Sequence, residues 1–263
     1  MSENTAAVIS GNDAYNKLKI KKDNIEIQED GIRTTGGKGT YEWWYTDAEL
    51  NDGTTVVVVF FTKFGFDLKG PAHPTVTIDI TYPDNTKIAK HVYGEKGKVI
   101  DASKKMCDVK VGECYIKYVD GNYELLYKDD EIEYKASMKS LLPMWRPETG
   151  HMYFGKMQKD FFAWLPAQPS CQVDASLKIN GAQKNLNGIG YHDHNWGNIP
   201  MNKGFWCKKY WKLKNYQVTA IILCCFTHYL VNEFHLGLDT PNSFDLSFVY
   251  HMHHFYPGDC SFC

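Results

Sequence analysis

The sequence predicts an all-β chain whose antiparallel sheet curls into a barrel or sandwich, and three observations lead there. Short runs rich in Val, Ile, Thr, Tyr and Phe recur along the first 200 positions, separated by Asp, Asn, Gly and Pro. Within them apolar and polar residues alternate with the two-residue period of strands. No long amphipathic helix period appears before residue 200, which leaves little material for any other fold class.

The elements follow in order. Residues 1–37 are polar, with Gly31 and Gly36-Gly37 as punctuation, and read as an arm with little chemistry. Tyr41-Glu42-Trp43-Trp44-Tyr45-Thr46-Asp47-Ala48-Glu49-Leu50, the turn Asn51-Asp52-Gly53 and the β-branched run 54–59 with Phe60-Phe61 predict a β-hairpin. Alternation places Tyr41, Trp43 and Tyr45 on one face of its first strand and Glu42, Trp44 and Thr46 on the other. Glu42 then either pairs with a Lys or Arg at the barrel mouth or serves a site. Further strands are predicted at 75–82, 86–93, 107–119, 123–128 and 131–138, with turns at Pro83-Asp84-Asn85 and Asp120-Gly121-Asn122. The connection Leu142-Pro143-Met144-Trp145-Arg146-Pro147 reads as a loop over the barrel end, or as a substrate clamp. Strands at 161–166 and 173–179 complete the first set, with Pro166 and Pro169 expected to end the former or mark an edge.

Composition narrows the function classes. At 263 residues, 43% hydrophobic and 23% charged, the chain is long enough for a substantial core. A net charge of −2 with interspersed acids and bases argues against nucleic acid as the main partner. The first 24 residues hold no apolar run of signal-peptide length, so a cytoplasmic protein is expected. Phosphate loops, paired CxxC motifs, a nucleophile elbow and a dinucleotide fingerprint are all absent from the sequence, which removes support for nucleotide, flavin and ordinary hydrolase chemistry. Five of the eight cysteines lie after Trp206. Cys260 and Cys263, with His251, His253 and His254 close by, invite a zinc reading, against which stands a divergent or truncated terminus with no selected chemistry. The apolar run 216–231 is too short for a membrane span and contains His228.

The densest chemistry lies in Gly188-Ile189-Gly190-Tyr191-His192-Asp193-His194-Asn195-Trp196-Gly197. As a strand it would set Tyr191, Asp193 and Asn195 on one face and His192, His194 and Trp196 on the other. Its glycines suit a strand pressed against a neighbouring backbone. Asp193 is either a buried polar knot that fixes register or a general acid or base in an aromatic pocket. His192 and His194 face the same way, but spacing marks no third ligand, and no metal is assigned.

The pairing of Tyr41-Glu42-Trp43-Trp44-Tyr45 with this later motif resembles the lipocalin-like family of carotenoid 1,2-hydratases and AttH-type proteins, and fungal Diels–Alderases of the same architecture look similar. The resemblance covers roughly residues 38–203. It implies a first lipocalin-like β-barrel over 38–182, a second, incomplete lipocalin-like barrel over 183–263, and a long apolar ligand held between them. By the same resemblance Tyr191 and Asp193 are active-site residues and Trp164 is a looser match to a tryptophan implicated in the family. Trp43, Tyr45, Trp196, His194 and Glu42 join Trp164 as candidate substrate contacts. The chain departs from the family pattern after Lys203, where Gly204-Phe205-Trp206-Cys207 matches poorly.

Two function classes result. One is a cofactor-free hydratase, cyclase or isomerase acting on a hydrophobic polyene, terpenoid or polyketide, with a pericyclase that only folds its substrate as the variant. The other is a carrier of lipid or terpenoid, since such cavities bind apolar ligands without chemistry. Either would take a hydrophobic small molecule, with no transmembrane segment but with room for a peripheral membrane contact during uptake.

Overall fold

The computed structural model describes residues 6–63, 68–155 and 157–199. The chain divides into two compact units, 1–200 and 201–263, and the description here is of the first. Residues 200–263 of the expected second barrel, which include the Cys/His cluster and the apolar run 216–231, lie outside the described residues.

Antiparallel strands dominate. They are β1 (Ala6–Val8), β2 (Tyr41–Leu50), β3 (Thr55–Phe61), β4 (Thr75–Thr81), β5 (Lys87–Tyr93), β6 (Asp101–Ala102), β7 (Asp108–Val111), β8 (Cys114–Val119), β9 (Asn122–Lys128), β10 (Ile132–Ser140), β11 (His151–Phe154), β12 (Asp160–Ile179) and β13 (Ala182–Gly197). They form one sheet ordered β5-β4-β3-β2-β13-β12-β10-β9-β8-β7-β6, with β1 and β11 added beside β12. The sheet curls into a half-barrel. No helix among the described residues is long and apolar enough to cross a membrane.

The hairpin predicted at 41–61 forms, with Tyr45 opposite Val59 across an Asn51-Asp52-Gly53 turn. The run predicted as one strand at 107–119 is broken by the turn at Gly112, whose φ of 61° favours glycine. Conversely, the two strands expected around Pro166 and Pro169 are a single 20-residue strand, β12. Proline cannot donate to a ladder, and the register shifts between Leu165, Gln168 and Cys171 absorb both rings. The carbonyls freed there are not wasted: Pro166 O accepts the Trp145 amide and Ser170 O the Leu141 amide. The Pro-bounded loop is thereby tied to the bulge.

Residues 183–197, expected to open a second domain, form most of β13, the strand paired with β2 on one side and β12 on the other.

Alternation along the central strands gives the sheet two different faces. One carries the apolar core: Trp44, Ala48 and Leu50 of β2, Val56, Val58 and Phe60 of β3, Ile78 and Ile80 of β4, and Cys171, Val173 and Leu177 of β12. Gly188 and Gly190 sit where β13 crosses β2 most tightly. A Cβ on Gly188 would stand 1.9 Å from the Glu49 carbonyl oxygen, and one on Gly190 2.5 Å from that of Asp47. The close approach inferred from the sequence is therefore present.

Candidate functional site

On the face opposite the apolar core, β13, β2 and β12 build an aromatic wall around one carboxyl group. Asp193 Oδ2 accepts hydrogen bonds from Trp164 Nε1 at 2.9 Å and the Tyr191 hydroxyl at 2.9 Å. Asn195 Nδ2 donates to Oδ1 at 2.5 Å. Trp164 Nε1 also reaches Tyr191 Oη at 3.2 Å, closing a three-membered ring of donors and acceptors. Alternation explains the set, because Tyr191, Asp193 and Asn195 are two apart and Trp164 pairs with Asn195 across the ladder.

Around this knot the rings are close. Tyr45 lies 6.2 Å from Tyr191 between centroids, Trp43 lies 5.8 Å from Phe162, and Trp145 meets Trp164 edge-on at 5.7 Å. Asp193 is 1% exposed. Burial disfavours its anion and raises its pKa to about 6, against the opposing pull of its three hydrogen bonds and of His192. Burial and the adjacent Asp193 push Tyr191 well above the ordinary phenol range. Asp193 therefore exchanges its proton near neutrality while Tyr191 stays a phenol.

The hydrogen-bond polarity of the knot changes with that proton. When Asp193 is ionised, Trp164, Tyr191 and Asn195 all donate to it. When it is protonated, the indole still only donates, and the acid proton can be accepted by Tyr191 Oη or, after an amide flip, by Asn195 Oδ1.

The same face holds a second pair that sequence reasoning missed. The Tyr45 hydroxyl donates to Asp47 Oδ2 at 3.0 Å. Burial raises the Asp47 pKa to about 7, with Asp193 and Glu49 adding repulsion and the Tyr45 bond opposing. The sequence signal was there, since Tyr45-Thr46-Asp47 and Tyr191-His192-Asp193 are two copies of one Tyr-x-Asp spacing.

Candidates from the other face do not join this site. Glu42, His194 and Trp196 point toward the apolar core, where strict alternation sends them. There Glu42 takes the Arg33 and Thr34 amides at 2.7 and 2.6 Å and bonds His194 Nε2 at 2.7 Å. The expected Lys or Arg side chain opposite Glu42 is replaced by backbone amides and an imidazole. His194 stacks on Trp44 at 4.6 Å and lies 4.7 Å from Trp196.

The arm that promised little chemistry supplies the centre of this knot. Asp30 Oδ2 accepts the Tyr123 hydroxyl at 2.7 Å and bonds His192 Nε2 at 3.1 Å, while Trp44 Nε1 donates to the Asp30 carbonyl at 3.1 Å. His192 Nδ1 meets the Tyr45 carbonyl at 2.8 Å, so both ring nitrogens face acceptors and the geometry favours the doubly protonated ring. Burial works against that charge, but Asp30 and these bonds prevail and hold the pKa above the usual imidazole range. Asp30, Cys107 and His192 place three ligand-capable atoms within 4.8 Å of one another. Asp30 Oδ2 and both His192 ring nitrogens hold hydrogen bonds there, and Cys107 Sγ faces the Ile116 carbonyl at 3.9 Å. Alongside, Arg146 pairs with Glu29 at 2.8 Å, both buried, which makes it an anchor of the loop.

Comparison with known proteins bears on the fold. No family model matches the chain. A hydroxyneurosporene dehydrogenase of Chlorobaculum tepidum is 25% identical over 197 residues, 62% of this chain and 50% of that protein. Among solved structures, an AttH protein of Nitrosomonas europaea superposes with a TM-score of 0.50 at 16% identity, over 66% of this chain and 55% of its own. Kievitone hydratase of Nectria haematococca gives a TM-score of 0.46 at 14% identity, over 68% and 53%. The chain spans about half the length of the curated relative it matches. With its antiparallel half-barrel and this superposition, the chain has the lipocalin-like fold of the AttH-type proteins.

Proposed function

We propose that the protein is a cofactor-independent enzyme that protonates a large hydrophobic polyene, terpenoid or polyketide, with Asp193 as the acid. The observation that carries this reading is a buried carboxyl, hydrogen-bonded by Trp164 and Tyr191, inside a wall of Trp43, Tyr45, Phe162, Trp164 and Tyr191, where burial raises its pKa to about 6. An acid poised near the working pH is what proton transfer requires. Aromatic faces suit a developing carbocation, because their quadrupoles attract positive charge without offering a nucleophile that would capture it. Among the described residues the Asp193 bonds come from three side chains, so the carboxyl is oriented by groups that include the phenol of Tyr191.

A second reading, a carrier of apolar ligands, draws on the same observation from the other side: a carboxyl accepting three hydrogen bonds is also a good structural fastener. Two measurements separate them. Mass spectrometry of small molecules that co-purify with the protein identifies the substrate class, with a polyene or prenylated compound expected. Asp193→Asn should then lower turnover of that compound by roughly 10²- to 10⁴-fold with affinity within a few-fold. Unchanged turnover would overturn the acid role, and binding without turnover in either protein would establish the carrier.

A further inference from the structure

Two imidazoles on the core side of β13 each turn one ring nitrogen toward the Asp30 carboxyl. His192 Nδ1 faces the Tyr45 carbonyl at 2.8 Å, which can only accept, so Nε2 is the nitrogen turned to Asp30 Oδ2, at 3.1 Å. His194 is oriented from its other nitrogen. Both oxygens of Glu42 accept backbone amides, from Arg33 and Thr34, so His194 Nε2 donates to Glu42 Oε1 and Nδ1 keeps its lone pair. That Nδ1 stands 3.4 Å from Asp30 Oδ1. Among the described residues both of these atoms are buried without a hydrogen-bond partner. Two acceptors that face each other in a dry interior are costly unless positive charge lies between them.

A thiol completes the surroundings. Cys107 Sγ and the ligand atoms of Asp30 and His192 lie within 4.8 Å of one another. The Ile32 amide donates to the Ser103 carbonyl at 2.8 Å and the Tyr118 amide to the Cys107 carbonyl at 2.7 Å, which holds the arm and the thiol against the sheet. Asp30, Cys107, His192 and His194 are each 0% exposed.

We propose that Asp30, Cys107, His192 and His194 form a structural zinc site that pins the N-terminal arm to β13. Imidazole, thiolate and carboxylate around a tetrahedron are donors that zinc takes, whereas calcium and magnesium want oxygen alone. Bonds of about 2.0–2.1 Å to nitrogen and oxygen set neighbouring tetrahedral ligand atoms about 3.3 Å apart. The two imidazole–carboxylate separations, 3.1 and 3.4 Å, fall on either side of that figure. A thiolate about 2.3 Å from the metal stands about 3.6 Å from the other ligands, so Cys107 has roughly 1 Å to close at most within the trio.

The supporting contacts of a metal site are also in place. Metal-bound imidazoles donate their other N–H to a carbonyl or carboxylate, as His192 does to Tyr45 and His194 to Glu42. The ligating carboxylate is itself held, by the Tyr123 hydroxyl at 2.7 Å. The third ligand that spacing does not mark comes from Asp30, 162 positions before His192. Charge balances as well: the ion enters as the Nε2 proton of His192 and the thiol proton of Cys107 leave, so the buried net charge is unchanged. Four protein ligands leave zinc no open position, and the site lies on the core side rather than in the Asp193 wall. The ion therefore holds structure and takes no part in the chemistry proposed above.

The test uses the full chain carrying Cys207→Ser, Cys224→Ser, Cys225→Ser, Cys260→Ser and Cys263→Ser together, so that the remaining thiols are Cys107, Cys114 and Cys171. After refolding with zinc and dialysis, elemental analysis should find one equivalent of zinc. X-ray absorption at the zinc edge should show one sulfur among nitrogen and oxygen ligands. Cobalt(II) in place of zinc should give a thiolate-to-metal charge-transfer band that Cys107→Ala abolishes. His194→Gln should weaken zinc binding at least about 10-fold. Zinc at about 1,000 times its Kd should raise Tm by roughly 8–16 °C. Zinc held without sulfur, or at full affinity in both Cys107→Ala and His194→Gln, places the metal elsewhere in the chain and overturns the proposal. No bound zinc and an unmoved Tm overturn it too, and leave the Asp30 carboxyl held by protons alone. Where Cys107→Ala does not fold, the sulfur count in the parent decides.

Discussion

Replacing Asp30 with Asn should destabilise the unit more than any other single polar change. The substitution keeps the volume but places an amide where Oδ2 now accepts Tyr123 and His192. His192, held by acceptors on both nitrogens and fully buried, would lose the carboxyl that its Nε2 bonds. Breaking a buried pair by removing one member costs about 3–5 kcal/mol, because the remaining charge has no water to return to. Against a typical total of about 5–15 kcal/mol that is a large share. It corresponds to a fall in Tm of roughly 6–20 °C for a unit of this size. Urea denaturation at pH 6 and pH 8 measures it. His192 has a raised folded pKa, so its stabilising contribution is complete below the unfolded imidazole value and is lost as pH rises through the folded one. The variant should therefore be weakened more at pH 6 than at pH 8. A loss below about 1 kcal/mol, the worth of a surface ion pair, would refute the reasoning.

Other expectations follow from the same geometry. Asp47 and Asp193 have folded pKa values of about 7 and about 6, raised above the unfolded carboxylate range, so the folded state binds more protons between pH 4 and pH 7. Stability measured by thermal melts should decline across that window, and a rise would contradict the burial of either group. Gly188→Ala should cost several kcal/mol or prevent folding, since its Cβ meets a carbonyl at 1.9 Å, whereas Gly181→Ala, with nothing near its Cβ, should be limited to the strain of its positive φ. Arg146→Met should be tolerated better than Arg146→Ala together with intact Glu29, and loss of the 141–147 loop's protection in hydrogen exchange would report the broken anchor.

Much of the fold was legible because alternation is a local property. The hairpin at 41–61, the face division of 191–196 and the tight crossing at Gly188 and Gly190 all follow from side-chain period and the size of glycine. What escaped depends on contacts between distant segments. Asp30 and Glu29 look like arm residues until the chain folds them against His192 and Arg146, which lie 162 and 117 positions away. The long strand β12 was read as two because proline signals a break locally, and only the carbonyl partners at Trp145 and Leu141 show how a bulge survives it. Glu42, His194 and Trp196 carried site-like chemistry in the right motif, but their parity puts them on the core side. Asp47 was within reach of sequence reasoning, through its Tyr-x-Asp spacing and the antiparallel pairing that sets it diagonal to Asp193.

The most direct test is the titration of the Asp193 carboxyl itself, followed by carbon-13 NMR of the full chain with Asp193→Asn to assign the signal. A midpoint near 6 is expected, falling toward the ordinary carboxylate value in a Tyr45→Ala, Trp43→Ala variant that admits water to the wall. A midpoint at or below about 4, the value of a solvated aspartate, would contradict an acid poised for proton transfer in an aromatic wall.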